Sequence, residues 1–372
     1  MTSPEGAGRA RRVAVLGTGL VGTSIALAGT AAGMAVTGWD PDGSVLDRAV
    51  ELSGAHRAGS AEEAAGAADV AFVCAPVPAI AGTALRCLAA APEVVVTDVG
   101  SVKGSVVRAV GEGEGGAHPS AARFVGGHPM AGSERSGPEA AAATLFDGAP
   151  WVLTPGPATS EAALGRVRAC VRAFGGHPLV MDPDRHDRVV AVVSHLPQVV
   201  STALMAFAAR EEPLEPDVMT LAAGGFRDLT RLAASTPALW EQILRANRAA
   251  VATEVDRFAA ALVEVRDMLL SDDGPALVAL LEEAQRARLG LAAKPQVRAG
   301  VAILQVPIPD RPGVLAVLTG ALGSRDVNIE DLQIVHSAEG GGGTLHVTVA
   351  AGQADEASGA LAEAGFRPVR LA

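Results

Sequence analysis

Residues 126–134 read Gly-Gly-His-Pro-Met-Ala-Gly-Ser-Glu, which puts one imidazole, one hydroxyl and one carboxylate close together in His128, Ser133 and Glu134. Glycine and proline punctuate the backbone there, so the run reads as a turn that carries chemistry rather than a core-filling segment. An imidazole titrates near neutrality, and His128 therefore suits proton transfer at physiological pH. Three other stretches offer partners. Ser101 lies in Asp98-Val-Gly-Ser-Val-Lys103, just beyond an apolar strand, where a serine equally serves to cap a following helix. His186, Val190, Ser194 and Gln198 are four apart and share one face of a regular helix. Ser194 and Gln198 then point together into a cleft, or else line a solvated face. Arg227 and Arg231 follow Gly224-Gly225, and a guanidinium beside glycines is a natural fork for a carboxylate. Solvation or ion pairing is the ordinary alternative for such arginines.

The elements that position these residues begin at Arg12. Val-Ala-Val-Leu precedes Gly17-Thr18-Gly19-Leu20-Val21-Gly22 and a run of small residues, which predicts strand, glycine turn and helix. Gly17 permits the turn, Gly19 lets a pyrophosphate approach, and Gly22 lets helix and strand pack closely. A second strand, Met34–Trp39, ends at Asp40, placed to accept ribose hydroxyls and to repel the extra phosphate of NADP. NAD is the expected cofactor, with Arg48 the nearest arginine able to reverse the preference. Strands at Asp69–Cys74 and Val94–Asp98 alternate with helices at Ala79–Ala90 and Val102–Val110, giving a doubly wound α/β, Rossmann-like pattern. Ligands bind beyond the carboxyl ends of such strands, where Ala75, Pro76 and Ser101 fall. A strand from Arg123 brings His128 to the same crevice, and a strand, helix and strand finish the domain at Asp182-Pro183, giving bounds of 10–182.

Residues 183–293 carry helical periodicity and almost no strand signal, which predicts an all-α domain that buries its remaining apolar faces in a homodimer. After a linker at Lys294-Pro295, residues 299–372 alternate as βαββαβ, a ferredoxin-like unit, with Pro312 in the first turn of its first helix.

The formal net charge of -11 disfavours nucleic acid and anionic membranes as partners. No uninterrupted apolar stretch reaches membrane-spanning length, and the first twelve residues lack the apolar region of a secretory signal. Cys74, Cys87 and Cys170 are widely spaced and odd in number, so neither disulfides nor zinc is indicated and a reducing cytoplasm is expected.

Taken together and in order, Gly17–Gly22, Asp98–Lys103, Gly127–Glu134, Ser194-His-Leu-Pro197 and Gly225-Phe-Arg-Asp-Leu-Thr-Arg231 resemble the prephenate and arogenate dehydrogenase family of tyrosine biosynthesis, over roughly residues 12–290. The resemblance implies NAD-dependent oxidative decarboxylation of prephenate, or of its amino analogue arogenate, without a metal. It implies His128 as the base for the ring 4-hydroxyl, Ser101 bonded to both, and Arg231 on the ring carboxylate. Ser133, Glu134, Ser194 and Gln198 would line the substrate. Many members have a second histidine where this chain has Gln198, which leaves the keto or amino side chain open. Residues 299–372 resemble an ACT domain, implying regulatory positions at Asp310, Arg311, Pro312, Gly313 and Asn328 and an L-tyrosine effector; pure dimerisation is the alternative. A β-hydroxyacid dehydrogenase would need a lysine from the helical domain, and none lies between Gly104 and Ala293. A non-catalytic sensor would leave Ser101, His128 and Arg231 unexplained.

Overall fold

The computed structural model describes residues 10–113, 116–132, 135–215, 217–292, 301–309, 311–336 and 342–371. Ser133, Glu134, Asp310 and the Lys294-Pro295 linker lie outside the described residues. The chain forms two compact units, one of residues up to Leu204 with Leu232–Arg257, the other of Met205–Arg231 with Phe258 onward.

In the first unit, strands β1 (Arg12–Leu16), β2 (Ala35–Trp39), β3 (His56–Arg57), β4 (Val70–Val73) and β5 (Val95–Asp98) are followed by a hairpin of β6 (Glu112–Gly113) and β7 (Gly116–Ala117), then β8 (Phe124–Pro129), β9 (Pro150–Pro155) and β10 (His177–Val180). Apart from that hairpin they form one eight-stranded sheet in the order β10-β9-β8-β5-β4-β1-β2-β3. All its neighbours are parallel except β8 and β9. The connecting helices are α1 (Leu20–Ala31), α2 (Gly43–Ser53), α3 (Ala61–Gly66), α4 (Val77–Ala90), α5 (Gly104–Gly111) and α6 (Glu161–Ala173).

Strand side chains alternate between faces, and each face has its own core. Val13 and Val15 of β1 join Phe72, Trp151 and residues of α1 and α6. Ala14 and Leu16 join Val73, Val96 and residues of α3, α4 and α5. This is the doubly wound pattern anticipated from the alternation of elements.

Several details differ from the sequence reading. The strand expected from Arg123 is β8, which runs on through His128 to Pro129, and at Gly127 it passes too close to β5 for any side chain. A Cβ on Gly127 would sit 2.5 Å from the Asp98 carbonyl oxygen. The helix expected from Val102 begins at Gly104, with Lys103 at its cap position. Between Asp40 and Asp69 the chain adds α2, β3 and α3, short elements capped locally by Asp42 and Ser60.

Asp182-Pro183 caps and opens α7 (Pro183–Val190), Asp182 accepting from the Arg185 N–H at 2.8 Å. A wide π turn, Ala191–His195, leads into α8 (Leu196–Glu211). Then follow α9 (Asp217–Thr220), α10 (Gly224–Thr230), α11 (Pro237–Ala246), α12 (Arg248–Leu270) and α13 (Gly274–Ala292). The run Pro183–Glu211 has the length and composition to cross a membrane. It nevertheless carries buried His186, Asp187, His195 and Gln198, and such polar groups are expensive in lipid.

In the second unit, β11 (Val301–Pro309), α14 (Val314–Gly323), β12 (Ile329–His336), β13 (Gly342–Ala350), α15 (Ala354–Glu363) and β14 (Val369–Leu371) follow in the expected βαββαβ order. The sheet order is β12-β13-β11-β14, every pair antiparallel. Leu304, Leu318, Leu345, Val347 and Leu361 are its core. Pro312 precedes α14 instead of entering it, because Gly313 takes a left-handed conformation at φ 88° and the helix starts after it.

The tightest point of the fold is the turn after β1. Gly17 has φ +102°, and a Cβ on Gly22 would lie 1.9 Å from the Gly17 carbonyl oxygen. Gly22→Ala is therefore expected to cost about 1–3 kcal/mol or more by overpacking, read as a lower midpoint in urea or thermal unfolding of the full chain.

Candidate active site

The carboxyl ends of β1, β4, β5 and β8 bring together the residues singled out by their chemistry. Gly17 and the N-terminus of α1 stand at the end of β1, and a Cβ on Gly19 would meet nothing within 4 Å. Thr18, Leu20, Val21 and Gly22 are the turn and first residues of α1. Asp40, at the end of β2, accepts from the Thr18 N–H at 2.6 Å and from the Asp42 N–H at 2.9 Å. Arg48 is engaged elsewhere, with Glu139 at 2.6 Å and Glu51 at 2.5 Å. Ala75 and Pro76 follow β4 and precede α4. Open space, free α1 amides and an acidic residue fit a dinucleotide. No group of His, Cys, Asp and Glu suited to a metal occurs among the described residues.

Ser101 lies between β5 and α5, half-buried, three residues short of the helix start and so not its cap. The cap comes from elsewhere. The Asp187 carboxylate accepts the Lys103 and Gly104 N–H groups, each at 2.8 Å. The first free amides of α5 are thus satisfied by a residue 83 positions away.

Asp187 also sets the state of His128. A carboxylate only accepts, so the His186 Nδ1, 2.8 Å from the Asp187 Oδ1, carries the proton. In the neutral ring His186 Nε2 is then an acceptor, and the His128 Nδ1, 2.9 Å away, must donate to it. That leaves the His128 Nε2 with a free lone pair, the form required of a base. The two rings meet edge to face, with centroids 5.1 Å apart.

The His128 ring is only partly accessible. Burial and the neighbouring His186, Lys103 and His195 hold its pKa well below the ordinary 6.5. His128 is accordingly unprotonated at neutral pH. Lys103 is completely buried, ion-paired with Asp98, and donates to the Gly127 carbonyl at 2.8 Å. Asp98 in turn accepts from the Gly100 and Gly127 N–H groups, at 2.9 and 3.1 Å.

The π turn changes which side chains of the next segment face inward. A regular helix would align Ser194 with His186; the wider turn advances the phase by about one residue. His195 is fully buried and Ser194 half-buried. Asn247 donates to the Asp187 carbonyl at 2.8 Å and, with its other N–H, to the His195 Nδ1 at 3.1 Å. Burial lowers the His195 pKa to about 4, against the opposing pull of Asp187. Gln198 is buried, its Nε2 donating to the Leu232 carbonyl at 2.9 Å, while its Oε1 has no partner among the described residues. Arg231 belongs to the second unit, exposed just after α10. Asn328 bonds Glu330, while Arg311, Pro312 and Gly313 line a separate cavity in the second unit.

Sequence reasoning missed the roles of His186, Asp187, His195, Lys103 and Asn247. His195 and Lys103 stood inside the quoted motifs, and His186 was placed only by spacing. Asp187 and Asn247 act on other residues across the fold and carried no local signal.

Residues 25–180 match the prephenate dehydrogenase nucleotide-binding domain, and residues 182–283 match the prephenate dehydrogenase dimerization domain. The chain belongs to the prephenate dehydrogenase family. It is 36% identical to a prephenate dehydrogenase of Bacillus subtilis over 258 residues, 69% of this chain and 68% of that protein. Two solved structures are similar. A prephenate dehydrogenase of Aquifex aeolicus, in complex with hydroxyphenyl propionate and NAD+, has TM-score 0.70 and 30% identity, covering 76% of this chain and 98% of that one. A Synechocystis arogenate dehydrogenase has TM-score 0.66 and 29% identity, covering 74% and 98%.

The tautomer chain makes Asp187→Asn informative. The amide can turn its N–H₂ to His186 and reverse both tautomers, so kcat is expected to fall about 10²- to 10⁴-fold with NAD affinity kept. Because the His128 pKa is depressed and a base works only in its neutral form, the acid limb of wild-type kcat/KM is expected below pH 6.5 if His128 is that base. Steady-state kinetics across pH check both expectations.

Proposed function

We propose that this chain catalyses the NAD-dependent oxidative decarboxylation of prephenate to 4-hydroxyphenylpyruvate and carbon dioxide, a step of tyrosine biosynthesis. The observation that carries the reading is the His128–His186–Asp187 chain, which leaves a neutral base at the carboxyl ends of β5 and β8 in a member of this family. NAD would be held by Gly17–Gly22, Asp40, Ala75, Pro76 and Ser101, and would accept the hydride from the ring carbon bearing the hydroxyl. The pairing of Arg48 with Glu139 and Glu51 supports NAD over NADP, since that guanidinium is already committed.

His128 takes the hydroxyl proton at Nε2 as the hydride leaves, with Ser101 bonded to the hydroxyl. The carbon–carbon bond to the ring carboxylate then breaks, its electron pair completes the aromatic ring, and the ring oxygen recovers the proton. Turnover releases no net proton, which suits a base backed by buried His186 and Asp187. Arg231 anchors the ring carboxylate, and Ser133, Glu134 and Ser194 line the substrate.

The second reading is arogenate as substrate. The unpartnered Gln198 Oε1 favours it, because a buried acceptor gains from a donor such as the amino group.

The match to a dimerization domain and the exposed Phe207, Leu214, Leu221 and Leu270 support a homodimer. Three free cysteines, two of them fully buried, support a cytoplasmic location. We assign residues 10–182, 183–293 and 299–372 to cofactor-binding, helical dimerisation and ACT domains. The ACT reading rests on the βαββαβ unit and on a cavity of about 530 Å³ lined by Arg311, Pro312, Gly313 and Phe366, and L-tyrosine is its proposed effector.

Purified protein with NAD should form NADH on addition of prephenate or arogenate, and the kcat/KM ratio of the two names the substrate. His128→Asn should lower kcat about 10²- to 10⁴-fold while NAD still binds; a flat trace with both substrates would sink the proposal. L-tyrosine should inhibit turnover and raise the melting temperature, and the absence of both effects would leave dimerisation as the role of residues 299–372.

A further inference from the structure

We propose that Lys103 is a positioning residue for His128, holding it by the backbone through the Gly127 carbonyl and by the ring through the Asp187–His186 chain. The proposal rests on His128 being the base. The side chain of Lys103 is completely buried, paired with Asp98, and donates to Gly127, the residue before His128. The main-chain N–H of the same residue donates to Asp187, which also accepts from His186 and so orients it and the His128 Nδ1. One residue therefore reaches His128 by two independent routes.

Geometry alone does not require an ammonium here. A buried ion pair is often replaced by apolar groups at no loss of stability, so retention of the pair points to something the charge does. The charged or titratable groups around His128 are Asp98 from β5, Lys103 from the start of α5, His186 and Asp187 from α7, and His195 from the π turn. Lys103 and the two imidazoles oppose a proton on His128; the carboxylates of Asp98 and Asp187 are each already committed to donors. The ammonium keeps His128 free to accept the substrate proton and makes the resulting imidazolium acidic enough to return it.

The test uses the full chain with Lys103→Met and, because that change strands a buried carboxylate, the double variant Lys103→Met/Asp98→Asn. In Lys103→Met, kcat should fall at least about tenfold, and the acid limb of kcat/KM and the His128 imidazole titration followed by NMR should both rise by about one pH unit. The double variant removes the two charges together. Its His128 titration should stay above wild type, because the opposing ammonium is still gone, and kcat stays low because the Gly127 carbonyl is still unheld. NAD affinity by calorimetry should change less than about threefold in either variant. The proposal is overturned if the titration does not move in Lys103→Met, if the double variant turns over like wild type, or if losses in kcat simply track losses in NAD affinity and melting temperature. The NMR readout needs no turnover, so inactivity of the wild type towards both substrates would fail the functional reading and leave this inference to be judged separately.

Discussion

The carboxylate of Asp187 joins the sheet to the helical segment that follows it and decides the protonation of the site. It accepts three donors, the N–H groups of Lys103 and Gly104 and the Nδ1–H of His186. The positive end of α5 stabilises its charge, and charged acceptors make stronger bonds than neutral ones. Because Asp187 supplies the cap, Ser101 is not engaged in capping and stays half-buried between β5 and α5. Because a carboxylate cannot donate, both imidazoles have determined tautomers. Its main-chain oxygen extends the same order to Asn247 and then to His195.

The parts of this arrangement that were legible in the sequence are those produced by local chemistry. Alternating strands and helices, the glycines of the first turn and the acidic end of β2 each follow from residues near one another, and they emerge within a few positions of where they were expected. The βαββαβ order of the last segment is legible for the same reason. What could not be read is set by packing across long separations. The strand that carries Gly126-Gly127 was legible, but the reason for glycine there was not, because it is Thr154 and Asp98, brought alongside by folding, that leave no room for a Cβ. The four-residue spacing from His186 to Gln198 implied one helical face, but the π turn interrupts it and buries His195 instead. Such turns recur at functional sites and have no compositional mark. Asp187 and Asn247 are ordinary polar residues in sequence, and their importance lies entirely in what folding sets beside them.

Burying this many ionisable groups together is costly unless each is matched. The solution here is to disfavour a proton on His128 and His195 and to pair the true charges. Asp98 faces Lys103, Asp187 faces the α5 amides, and His195 is pushed down to about 4 and accepts from Asn247. His128 keeps a ring nitrogen, Nε2, outside these bonds. Among the described residues the buried atoms left unmatched are neutral ones, the Gln198 Oε1, the Thr97 and Thr154 hydroxyls and the Trp151 Nε1, and an unbonded neutral group costs less than an unbonded charge.

The same accounting separates this site from one built on a lysine base. A lysine can take a proton only after losing its own, which requires a site that disfavours the ammonium. Burial does act in that direction on Lys103, but its Nζ is already paired with Asp98 and bonded to the Gly127 carbonyl. Two acceptors facing one nitrogen hold it as a donor. The Asp98 pair thus assigns the lysine to structure and field, and the proposed proton transfer is left to the imidazole whose lone pair the Asp187 chain keeps free.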